Sequence, residues 1–62
     1  MKEYTDMTHE ELATHARDVA RRMGDHHLLD LAKSLQELVD KEMPSTEHAA
    51  AVTERLKLIE PR

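Results

Sequence analysis

The stretch Leu28-Leu29-Asp30-Leu31-Ala32-Lys33-Ser34-Leu35-Gln36-Glu37-Leu38-Val39 decides the fold. Its apolar residues recur at spacings of three and four, the period of a helix that turns one face to a core. At about 100° per residue, Leu28, Leu31, Ala32, Leu35, Leu38 and Val39 lie within an arc of roughly 120°, and Leu29 widens it to about 180°. One neighbouring helix cannot cover so wide a face. The pattern predicts a helix over 25–43, with Leu28, Leu31, Leu35 and Leu38 at the centre of the core.

Upstream, Gly24 supplies a left-handed residue to end one helix, and Asp25 supplies the N-cap of the next. So short a turn makes an antiparallel hairpin. The first helix starts at a capping box, Thr8 with Glu11, and carries the stripe Leu12, Ala16, Val19 and Met23, flanked by Ala13 and Ala20. It is expected over 9–23. Downstream, Pro44 blocks continuation, Ser45 can cap, and Ala49, Val52, Leu56 and Ile59 mark a third helix over 46–59, closed by Pro61. Residues 1–7 are expected as a partly ordered arm with Tyr4 or Met7 packing back, ahead of a single helical domain over 8–62.

Composition agrees with an all-α domain. The apolar set is eight Leu, seven Ala, four Met, three Val, one Ile and one Tyr, with no Phe or Trp. Leu and Ala suit close-packed helices, and the scarcity of β-branched and aromatic residues argues against a sheet. Size sets the margin. For 62 residues, burial contributes about 95 kcal/mol and chain ordering costs about 93. With no cysteine there is neither a disulfide nor a thiolate zinc site to add to it. Self-association is the remaining source of stability, and a second apolar strip on the third helix, Ala51 and Leu58, would join Leu29 in a homodimer interface.

The formal charge is −4, from nine Lys and Arg against thirteen Asp and Glu, which disfavours nucleic acid and anionic lipid. No apolar run approaches the roughly 20 residues of a membrane span, and no signal-peptide pattern follows Met1, so a cytoplasmic protein is expected.

Five histidines stand at 9, 15, 26, 27 and 48. His9-Glu10 opens like a zinc-protease signature, but the second histidine would fall on Ala13. His15 with Asp18, and His27 with Asp30, form H-x-x-D pairs that could each offer two ligands on one helix face, the weaker of the function classes considered. Solvated histidines, four of them in first helical turns, account for the pattern more simply, and no metal or cofactor is expected. Catalysis has no foothold either: there is no Cys nucleophile, phosphate loop or nucleophile elbow, and Ser34 and Ser45 read as a surface residue and a cap. No catalytic residue is assigned.

Val19-Ala20-Arg21-Arg22-Met23-Gly24 matches the first half of a helix-turn-helix unit, so a DNA-binding transcriptional regulator is the alternative reading. The second half departs from the pattern, with Asp25, Asp30 and Lys33 at positions that should be apolar. The would-be recognition helix also has an acidic excess, the wrong sign for phosphate. The run Leu31–Leu38 is similar in outline to the helical-hairpin aspartyl-phosphate phosphatases of sporulation control. Ala32, Lys33 and Gln36 stand where that family has its S-Q-x-x-D core, so the resemblance implies no activity.

Basic residues cluster at Arg17, Arg21 and Arg22. Arg22 has Asp18 one turn away, whereas Arg17 and Arg21 stack without such a neighbour and form a positive patch suited to an acidic protein surface. The expectation is a small non-enzymatic regulator or adaptor that binds and modulates or inhibits another protein through helix faces, using Arg17, Arg21, Leu29, Ala51 and Leu58.

Overall fold

The computed structural model describes residues 4–43 and 46–60. They form three α-helices, α1 (His9–Met23), α2 (His26–Asp40) and α3 (Thr46–Ile59), preceded by a 3-10 turn at Tyr4–Asp6. The described residues contain no strand. α1 and α2 make a helical hairpin and pack most extensively on each other, while α3 lies against both.

Local chemistry sets the ends of α1. Thr8 Oγ accepts the Glu11 N–H at 3.1 Å and Glu11 Oε1 accepts the Thr8 N–H at 3.2 Å, so the capping box is complete. At the far end Gly24 adopts φ 68°, ψ 28°, and its N–H and that of Asp25 both donate to the Ala20 carbonyl. Asp25 then caps α2, its Oδ1 accepting the Leu28 N–H at 2.9 Å. Two residues thus end one helix and begin the next.

α2 stops at Asp40, short of the expected Met43. The cause is a left-handed residue that composition does not flag. Glu42 has φ 57°, the Glu42 N–H donates to Val39 O at 3.0 Å, and the Met43 N–H donates to Leu38 O at 2.8 Å. These bonds are those of a Schellman motif, which satisfies the last carbonyls and turns the chain before Pro44 can act. The expected roles of Pro44, Ser45 and Pro61 fall outside the described residues.

The core is Leu12, Ala13, Ala16, Val19 and Ala20 from α1, Leu28, Ala32 and Leu35 from α2, and Val52 and Leu56 from α3. Ala49 and Ile59 complete the predicted α3 stripe as half-buried residues packed on it. Two assignments are corrected. Leu31 and Leu38 are half-buried on a flank of α2, and Ala32 takes the central place with Leu28 and Leu35. Three alanines give α1 a shallow face, so α2 approaches closely enough to bury its own alanine. Met23, expected as the last residue of the α1 stripe, is 59% exposed because the chain turns away at Gly24. The arm docks: Tyr4 and Met7 are half-buried and pack on the core.

Candidate functional site

Two surfaces stand out. The first is the flank shared by α2 and α3. Ala51, Arg55 and Leu58 lie one and two turns apart on one side of α3. Arg55 is anchored to the α2 cap, with Nε and Nη2 donating to Asp25 Oδ2 at 3.0 and 2.8 Å. That contact turns this side of α3 toward α2. The Leu28 N–H, and after it the Arg55 guanidinium, hold the Asp25 carboxyl below its ordinary pKa against the opposing effect of partial burial.

Leu31 and Leu38 share one side of α2, with Leu38 about 20 Å along the helix from the Asp25 cap. Lys33 and Gln36 of α2 line a cleft with Arg17 of α1. Leu31 and Leu38 lie roughly 140–160° round the helix from those two residues, on the side turned away from α1. On the Arg55 side of α3 Ala51 is half-buried and Leu58, near the C-terminal end of the helix, is 74% exposed. Leu29, expected to join Ala51 and Leu58, is half-buried against the core and shares the opposite, α1-facing side of α2 with Gln36.

The second surface surrounds Arg17. Its side chain is half-buried between two shallow clefts, one lined with Thr14, Asp18 and Arg21, the other with Lys33, Gln36 and Glu37. Arg17 Nε is fully buried and has no hydrogen-bond partner. Arg22 takes Asp18 at 2.6 Å, as their spacing predicts, although both side chains are too exposed for the pair to add much stability. Sequence reasoning found Arg17 and Arg21 but missed Lys33 and Gln36, which only the packing of α2 on α1 brings alongside.

The histidines are placed differently from their H-x-x-D pattern. His15 Nε2 lies 3.1 Å from Glu60 Oε2, and the Tyr4 hydroxyl donates to that same oxygen at 2.8 Å. The Tyr4 and His15 rings are 6.0 Å apart and tilted. Asp18 is committed to Arg22 instead. This contact joins the arm, α1 and the end of α3, and the long separation of its members left no signal in the spacing. Among the described residues no three His, Asp or Glu side chains are grouped as a metal ion would require. An open cleft of about 410 Å³ between the arm, α1 and α3 is lined in part by Met7, Leu12, Ala49 and Thr53. Among the described residues no helix is long and apolar enough to cross a membrane.

Compared with models of protein families, with curated proteins and with solved structures, the chain matches none.

Proposed function

We propose that this chain is a small non-enzymatic regulatory or adaptor protein that binds another protein through its helix faces and modulates or inhibits it. The observation that carries the reading is Leu58, 74% exposed near the C-terminal end of α3 and on the same side of that helix as half-buried Ala51. An open apolar strip on a small folded domain marks a surface for another protein. A second copy of the chain is the first occupant we assign to it, and the cytoplasm is the compartment. Duplex DNA is the rival partner. The exposed Asp30, Glu37 and Asp40 on α2 weigh against it, because they would face phosphate with like charge.

Affinity capture from the native host tests the reading. Wild type recovers a protein partner, and that partner is lost with Leu58→Glu. Salt-dependent recovery of duplex DNA with no protein overturns the proposal.

A further inference from the structure

The surface around Arg17 has a chemistry of its own. Four arginines lie in the described residues, and two are satisfied inside the molecule: Arg22 by Asp18, and Arg55 by Asp25. Among the described residues Arg17 and Arg21 make no ion pair. Lys33, brought to the same place from α2, makes none either, in a protein whose formal charge is −4. One acid lines each cleft beside the two cations: Asp18, which is paired to Arg22, and Glu37, which makes no ion pair with Arg17.

Arg17 is the centre of the arrangement. Its Nε–H is buried without an acceptor, and an unsatisfied buried donor on a charged group is costly. The guanidinium lies between a cleft of about 290 Å³ that it shares with Arg21 and one of about 240 Å³ that it shares with Lys33. A carboxylate entering either cleft would meet two cations against one acid, and a segment with several carboxylates could use both. Gln36 adds an amide to the second cleft, although its Nε2 donates to Asp40 in this structure.

We infer that Arg17, Arg21 and Lys33 form a binding site spanning α1 and α2 for an acidic peptide segment of a partner protein, with its carboxylates seated beside the Arg17 guanidinium. The inference rests on the protein-binding reading above but uses a different surface, so the two can fail separately. Inorganic phosphate shares the charge and not the spacing of a peptide's carboxylates, which makes it the control ligand.

The test titrates a short labelled peptide of alternating Glu and Ser into the full chain, reading fluorescence anisotropy and the ¹⁵N-detected Arg Nε–H resonances. Wild type binds, the Arg17 Nε–H resonance moves, and Arg17→Gln and Lys33→Gln each weaken binding about tenfold, the loss expected for one charge-assisted hydrogen bond. Lys57→Gln, which removes one exposed positive charge from α3 and touches neither cleft, leaves binding unchanged. Lys33 is exposed, so its substitution leaves the core intact even if Arg17→Gln loosens the fold. The inference is overturned by absence of peptide binding, by equal weakening with Lys57→Gln, or by phosphate moving the Arg17 resonance as the peptide does. A chain that self-associates through Leu58 yet ignores the peptide removes this site alone.

Discussion

Gly24 and Glu42 hold the same left-handed backbone, at φ 68° and 57°, and each follows a helix that it helps to end. Glycine pays nothing for that conformation, whereas a side chain in it costs about 1 kcal/mol. No atom lies within 4 Å of the position that a Cβ on Gly24 would take, so Gly24→Ala isolates the backbone cost from any clash. We expect Gly24→Ala to lower, and Glu42→Gly to raise, unfolding free energy by about 1 kcal/mol each in urea titrations. A Glu42→Gly variant less stable than wild type would show that this end of α2 does not carry the strain. The pair also marks the reach of sequence reading at this scale. Gly24 announced the end of α1 because glycine is the usual residue there, while nothing about Glu42 betrayed its conformation, and the nearest signal, Pro44, placed the end of α2 too late.

At the scale of elements, Asp25 belongs to two of them at once, capping α2 through Oδ1 and receiving Arg55 of α3 through Oδ2. Its folded pKa lies below the 3.8 of a free aspartate. The sign of the linkage follows: the unfolded chain takes up the proton first, so the stability Asp25 contributes is complete above that value and is lost as pH falls through the lower, folded pKa. Asp25→Asn keeps a capping oxygen but removes the charge facing Arg55. We expect it to melt below wild type at neutral pH and to converge on wild type in acid, as followed by circular dichroism. A constant gap across that range would contradict the role given to the carboxylate. The cap itself was legible, because capping is local. The Arg55 partner, 30 residues away, was not, nor were the contacts of Glu60 with His15 and Tyr4, 45 and 56 residues away, since periodicity within one helix does not say which residues of another will meet it.

For the whole molecule, helix number, order and most of the core could be read from apolar spacing, and so could Leu58 as an apolar residue off its helix's main stripe. What the spacing could not give was the direction in which each side of α2 points. That depends on how α1 and α3 divide its wide arc between them, and the structure leaves Leu29 on one side of Leu28, Ala32 and Leu35 and Leu31 and Leu38 on the other, all three half-buried. The near balance of burial against chain entropy makes that flank consequential, because a domain of this size has little stability to spare and gains from covering it. Sedimentation equilibrium at micromolar concentration tests the claim that the α2–α3 flank is an interface. The account predicts twice the 7.2 kDa chain mass for wild type, with a melting temperature that rises with concentration, and the single-chain mass for Leu58→Glu. A wild-type species of 7.2 kDa whose melt is sharp and independent of concentration would contradict it.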